Sequence, residues 1–198
     1  MEYEIVDRVL VLKGNFEALS TGVDGGRRAT KNILNIQVPR DFSHDDPTSY
    51  IKEIAASLKL DGGCIALLTA VEMKNVQMLN DACVTVFVTA GLTNPSSFGT
   101  INIIVISSAM LSEGAIAGTI ITATEAKARA LFDNGLHLTG TTTDAMVVAY
   151  ENSREGVPIL YSGPATPFGR KVTKLVRSGV KDALKAHYGS DEVAEWHL

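Results

Sequence analysis

Four runs in this chain are apolar at nearly every position. They are Ile65-Ala66-Leu67-Leu68-Thr69-Ala70-Val71, Val84-Thr85-Val86-Phe87-Val88-Thr89, Ile101-Asn102-Ile103-Ile104-Val105-Ile106-Ser107 and Ala145-Met146-Val147-Val148-Ala149-Tyr150. Successive side chains of a strand point to opposite faces, so a continuous apolar run must be covered on both. The first three runs are separated by Asn80-Asp81 and by residues 91–98, connections too short for helical crossovers. Strands joined this way are antiparallel, and the middle of the chain reads as a three-stranded meander buried on both faces.

Around this core the pattern is amphipathic or broken. Residues 4–12 read as a strand and residues 15–19 as its hairpin partner after a Gly14-Asn15 turn. Asp24-Gly25-Gly26-Arg27-Arg28 then interrupts the pattern, and a glycine pair permits positive φ and close backbone approach. An ordinary loop and a ligand-contacting turn with two cations both fit there. Asp46 as N-cap and Pro47 at the first position open a helix, in which Tyr50, Ile51, Ile54, Ala55 and Leu58 recur at helical spacing until Asp61-Gly62-Gly63. Ser112 caps a second helix over residues 113–132, with Ile116, Ile120, Ala123, Ala130 and Leu131 as its buried stripe and Gly135 beyond its end. Thr166 and Pro167 open a third, with Val172, Leu175, Val176, Ala183 and Leu184 facing inward. With no repeat or linker, the 198 residues read as one α+β domain over 1–198, a largely antiparallel or mixed sheet with packed helices.

The net charge of -4 argues against a phosphate backbone as partner, although Arg27-Arg28 and the last helix are locally basic. Cys64 and Cys83 each start an apolar run and form no Cys-x-x-Cys pair, which reads as two reduced core thiols. The acidic N-terminal stretch lacks a basic-then-apolar leader, and no apolar stretch approaches the ~18 residues of a membrane span. The expectation is a cytoplasmic protein with no nucleic-acid or membrane partner, and a homo-oligomer is compatible with the composition.

Chemistry has few places to sit. His44, His137, His187 and His197 are scattered, without His-x3-His or a nearby Cys, so no metal and no cofactor is expected. No G-x-S-x-G nucleophile elbow occurs. Carboxylates and hydroxyls remain. Thr139-Gly140-Thr141-Thr142-Thr143-Asp144 runs straight into the fourth apolar run, so the strand holds a turn of hydroxyls, amide N–H groups and one acid at a sheet edge. Asp144 at the mouth of a buried strand needs hydrogen-bond partners, and Thr141 or Thr143 can supply them. Asn102 poses the same question inside its strand, and Asn94, before Pro95, serves equally as a turn residue. Glu125 lies mid-helix with Arg129 at i+4, an ordinary surface pair. Lys127 lies about 200° around the helix from it, nearer the buried stripe.

Gly99-Thr100-Ile101-Asn102, Thr122-Ala123-Thr124-Glu125-Ala126-Lys127, the threonine turn and Gly163-Pro164-Ala165-Thr166-Pro167-Phe168-Gly169 belong together. With Thr89-Ala90-Gly91-Leu92 and Asn94, they resemble the adenosylcobinamide amidohydrolase family of corrinoid salvage. The resemblance runs from about Leu19 to the last helix and is most specific between Thr89 and Asp144. At Ser20-Thr21-Gly22-Val23-Asp24-Gly25-Gly26 the family pattern implies Asn where Asp24 stands. The resemblance implies hydrolysis of one amide of adenosylcobinamide, giving adenosylcobyric acid and 1-amino-2-propanol for cobalamin synthesis. It also implies a site role for Glu125, since Thr-Glu-Ala-Lys is among the family's most recognisable motifs. Amide hydrolysis needs a nucleophile, a base, oxyanion donors and an acid for the leaving amine. Asp144 or Glu125 fits the base, with Thr143 or Thr141 as an alternative nucleophile to direct attack by water. Asn94, Thr100, Asn102, Gly140, Thr141, Gly25 and Gly26 fit substrate binding. Two other readings stay open: a non-catalytic corrinoid-binding module, and a threonine-nucleophile amidase for another substrate.

Overall fold

The computed structural model of the chain describes residues 1–93, 96–152 and 156–189. Among them, eight strands form one mixed sheet: β1 (Glu2–Val6), β2 (Val9–Ser20), β3 (Gly26–Gln37), β4 (Cys64–Thr69), β5 (Gln77–Asp81), β6 (Val84–Thr93), β7 (Ser96–Ser107) and β8 (Ala145–Glu151). Three α-helices accompany them: α1 (Pro47–Ser57), α2 (Glu113–Asp133) and α3 (Pro167–Tyr188). The strand order is β4-β3-β2-β8-β7-β6-β5, with β1 on β2 beside this path. The β3–β4 and β7–β8 pairs are parallel and the rest antiparallel. The α+β class expected from the sequence is the class observed.

Strand alternation explains the layers. Val84, Val86 and Val88 of β6 and Ile101, Ile103 and Val105 of β7 pack with Ala123 of α2 and Val172 and Val176 of α3. Phe87, Ile104 and Ile106 of the same strands turn to the opposite face. That face does not meet solvent. The sheet coils on itself, and Leu10, Leu12, Phe16, Ile33, Ile65 and Leu67 from β2, β3 and β4 close over it. The outer face of this second half, with Val9, Val11, Leu34 and Ile36, is covered by Ile51 of α1. Both faces of every central strand are therefore buried, as continuous apolar runs require.

The predicted helix starts are all present as caps. Asp46 accepts the Ser49 N–H at 3.0 Å, Ser112 Oγ accepts that of Ala115 at 3.1 Å, and Thr166 Oγ1 accepts that of Gly169 at 2.9 Å.

Two expectations are corrected, and one strand escapes the sequence pattern. The first hairpin turns at Asp7-Arg8, with Asp7 at φ +53°, and not at Gly14-Asn15. Gly14-Asn15 lies inside β2 at a register shift between Lys13 and Phe16. The Phe16 ring folds over Gly14 there, so closely that a Cβ would meet its Cζ at 2.7 Å. Next, β3 is a full strand that the sequence pattern hides, because Thr30, Asn32 and Asn35 are buried polar positions. Asn32 Nδ2 donates to Asp61 O at 2.8 Å and Gly63 O at 2.9 Å, which removes the cost of its burial. Finally, the meander contains β5, β6 and β7; β4 instead joins β3 in parallel across the α1 connection, at the other end of the strand order.

The Gly163–Gly169 stretch is a joint between helices. Ser162 Oγ donates to Ala115 O at 2.8 Å, and Thr122 Oγ1 donates to Ser162 O at 2.9 Å. A Cβ on Gly169 would lie 2.0 Å from Gly163 O, whereas one on Gly163 would meet nothing within 4 Å. Gly169→Ala is expected to cost about 1–3 kcal/mol as an overpacking change. Gly163→Ala is expected to stay within about 0.5 kcal/mol of wild type. Urea melts of the two variants check the pair, and equal midpoints would refute the close approach.

Candidate active site

β7 and β8 run parallel, with Asn102 opposite Ala145. Gly99-Thr100 and the threonine turn precede those positions, so the register itself sets the two polar clusters side by side. Asp144 joins them. Its Oδ1 accepts the Ile101 N–H at 2.9 Å, and its Oδ2 accepts the Thr141 N–H at 3.0 Å. The Thr141 hydroxyl also donates to Oδ1, and the Lys127 ammonium, projecting from α2, donates to Oδ2. A carboxylate offers about four lone-pair positions, and here all are engaged. The Lys127 and Asp144 side chains are only 10% and 13% exposed. Gly140 is explained by the same pair: a Cβ there would lie 2.4 Å from Asp144 Oδ2 and 2.5 Å from Lys127 Nζ.

Beside the carboxylate runs a chain of hydroxyls. Thr141 Oγ1 lies 2.7 Å and Thr143 Oγ1 2.6 Å from the Gly99 carbonyl oxygen. Thr100 Oγ1 lies 2.6 Å from Thr143 Oγ1. A hydroxyl holds one proton, so when Thr143 donates to Gly99 O, the Thr100 hydroxyl donates to Thr143.

Thr100, Thr143 and Asp144 line a cleft of about 480 Å³ together with Thr21, Gly22, Val23, Arg40, Phe42, Thr69 and Ala70. An adjoining recess of about 270 Å³ shares Arg40, Ala70, Thr100 and Thr143, and adds Gly91, Thr142 and His187. His187 reaches it because the neighbouring Tyr188 hydroxyl is hydrogen-bonded to both the N–H and the C=O of Leu92, which fastens the end of α3 to the end of β6.

The remaining sequence-predicted residues are dispersed. Asn94 lies outside the described residues. Glu125 is exposed on α2, and among the described residues it makes no hydrogen bond or ion pair with the Asp144 cluster. Arg129 pairs with Asp133 at 2.9 Å instead of with Glu125. Asn102 is buried, and its two amide hydrogens go to Asn35 Oδ1 and Leu68 O, each at 2.9 Å, which leaves none for an oxyanion. Gly25 ends the β2–β3 turn and Gly26, at φ +99°, opens β3, and the cleft is lined by Gly22 and Val23 in their place. Arg27 is held by Glu17 and Glu113.

The sequence reading missed Lys127, Arg40 and His187. A lysine near the apolar stripe of α2 was a usable signal, since such a side chain needs a buried partner. His187 and Arg40 carried none, because their neighbours here are remote in sequence. Cys64 lies in a separate groove of about 430 Å³ between α1 and β3, where burial pushes its thiol up and Arg28 opposes this. A protonated, half-buried thiol fits the core reading and not a nucleophile. Among the described residues, no three His, Cys, Asp or Glu side chains are grouped to hold a metal ion, and no helix is long and apolar enough to cross a membrane.

The adenosylcobinamide amidohydrolase family model matches residues 8–192. The chain belongs to this family. It is similar to the adenosylcobinamide amidohydrolase of Methanosarcina mazei, at 45% identity over 93% of this chain and 98% of that one. It is also similar to the adenosylcobinamide amidohydrolase of Halobacterium salinarum, at 31% identity over 84% of this chain and 79% of that one. Among solved structures it is similar to the PH0078 protein from Pyrococcus horikoshii OT3, with a TM-score of 0.43 and 10% identity, covering 90% of this chain and 71% of that one. The family match begins earlier in the chain than the motifs alone indicated and takes in all of β2.

Breaking a buried pair by removing one partner costs about 3–5 kcal/mol when the other charge is left bare. Asp144→Asn strands Lys127 and is expected to approach this loss. Lys127→Met leaves Asp144 with three donors and is expected to lose less. Guanidinium unfolding of both variants gives the order, and a larger loss for Lys127→Met would contradict the accounting.

Proposed function

We propose that the cleft binds adenosylcobinamide and that the protein hydrolyses the amide of its aminopropanol arm, giving adenosylcobyric acid and 1-amino-2-propanol in corrinoid salvage. The observation that carries this reading is that the family's threonine turn and its Gly99-Thr100 segment converge as one hydroxyl chain on the floor of a cleft. A corrinoid is rimmed with neutral amides. Hydroxyls, a backbone carbonyl and apolar walls suit it better than a field of charge would. The volume suits a drug-sized group, and so the arm with part of the ring edge.

In this reading Thr100 and Thr143 contact the substrate amide. Asp144 is a positioning residue: it aligns Thr141 and the start of β7, while Lys127 compensates its charge. A carboxylate with all its acceptor positions filled must lose a donor before it can take a proton, so Asp144 is not assigned the base. Thr143 is not assigned the nucleophile either. Its proton is directed to a carbonyl oxygen, which is too weakly basic to remove it. Direct attack by water is therefore favoured. Glu125, exposed on α2, has no role in the chemistry proposed.

Incubating purified protein with adenosylcobinamide and following the products by mass spectrometry tests the proposal. Adenosylcobyric acid and 1-amino-2-propanol are expected in equal amounts. Corrinoid that binds and is recovered intact would favour a binding module, and a trapped acyl-enzyme would favour a threonine nucleophile. With no metal-binding group among the described residues, turnover is expected to survive dialysis against a strong chelator. Loss restored by one divalent ion would overturn the carboxylate-and-hydroxyl account.

A further inference from the structure

We infer that His187 is the proton-transfer group of this hydrolysis, taking a proton from the attacking water and returning it to the leaving amine. The inference rests on the reading of the cleft as an amidohydrolase site.

Among the described residues, three charged or titratable side chains line the cleft and its recess: Arg40, Asp144 and His187. Arginine stays protonated throughout the working range and cannot act as a base. Asp144 has its acceptor positions filled by Ile101, Thr141 and Lys127. His187 is half-buried and lines the same recess as Thr100, Thr142 and Thr143. Imidazole is the side chain whose ordinary titration lies near neutrality, so it can both accept and donate there. The Nε2 edge of its ring is turned to Gly91, which lines the same recess; a Cβ on Gly91 would stand 3.3 Å from Nε2. A side chain at position 91 would crowd this edge of the ring.

The placement is built. Tyr188 packs against His187 at 4.6 Å between ring centroids, edge to face, and is itself tied to Leu92. Glu72, after β4, is an electrostatic neighbour of His187 and is paired with Lys74. Among the described residues, the charged and titratable groups near the imidazole include Glu72 with Lys74, Arg40 and Tyr188.

The step balances without a co-reactant. Water oxygen bonds to the amide carbon as His187 removes one proton. The tetrahedral oxyanion is met by the Thr100 hydroxyl, whose single proton turns to it from Thr143. The C–N bond then breaks, and the imidazolium proton passes to the amine nitrogen. Carboxylic acid and amine leave, and the imidazole is neutral again.

The test compares wild type with His187→Gln on adenosylcobinamide across pH. Loss of a general acid–base group is expected to lower kcat about 100- to 10,000-fold, with KM and the melting temperature near wild type. Wild-type rate is expected to fall on the acid side of its pH profile, because the base must be neutral. The residual rate of His187→Gln should be flat across that window, and added imidazole should restore part of the rate to His187→Ala. A fall in kcat that keeps the acid limb, or a rise in KM alone, would overturn the assignment. Unchanged kinetics in His187→Gln with an active wild type would do so too, and leave the hydrolase reading standing. A wild type that binds but does not turn over adenosylcobinamide would overturn the hydrolase reading itself.

Discussion

The Asp144 carboxylate holds the cleft together. It receives the first N–H of the apolar part of β7, both the N–H and the hydroxyl of Thr141, and the ammonium of Lys127 from α2. Three segments far apart in sequence are fixed by one side chain. A buried ion pair adds little over an apolar replacement, but either partner left alone is costly. The pair therefore selects one geometry for the turn more than it raises stability. Gly140 follows from it, since the pair fills the space a Cβ would take. The hydroxyl chain sits beside it: with its one proton given to Asp144, Thr141 Oγ1 stands 2.7 Å from the Gly99 carbonyl that receives Thr143.

A second polar tie sets where the cleft opens. Asn102 of β7 donates to Asn35 of β3 and to the Leu68 carbonyl of β4, and Asn35 donates to Thr89 of β6 at 3.0 Å. β3 and β4 lie far from β6 and β7 in strand order, so these bonds exist only because the sheet coils. The coil brings the end of β4, with Thr69 and Ala70, opposite the start of β7 and β8. Hydrophobic closure of the inner face drives the coil, and the amide network fixes its extent.

Legibility in the sequence followed locality. Apolar strands such as β6, β7 and β8 were readable, because burial on both faces writes itself into consecutive residues. Helix starts were readable from Asp46, Ser112 and Thr166, whose capping bonds reach only three residues ahead. β3 was not, because the bonds that permit Asn32 and Asn35 to be buried come from residues 61, 63, 89 and 102. β5 was hidden by its polar residues Gln77, Asn80 and Asp81. In the cleft, the turn from Gly140 to Asp144 and its partner Thr100 were legible as one cluster. Lys127 was half legible, as a charge near an apolar stripe. His187 and Arg40 were not, because only tertiary packing carries them to the threonines.

The central claim is that the substrate amide sits on the Thr100–Thr143 floor of the cleft. The most direct measurement is a crystal structure of the His187→Gln variant with adenosylcobinamide bound. The account predicts the aminopropanol amide within hydrogen-bond reach of Thr100 or Thr143, with the corrin ring across the cleft mouth and the Asp144–Lys127 pair intact. A corrinoid seated in the separate groove beside α1, with Thr100 and Thr143 contacting only solvent, would contradict it.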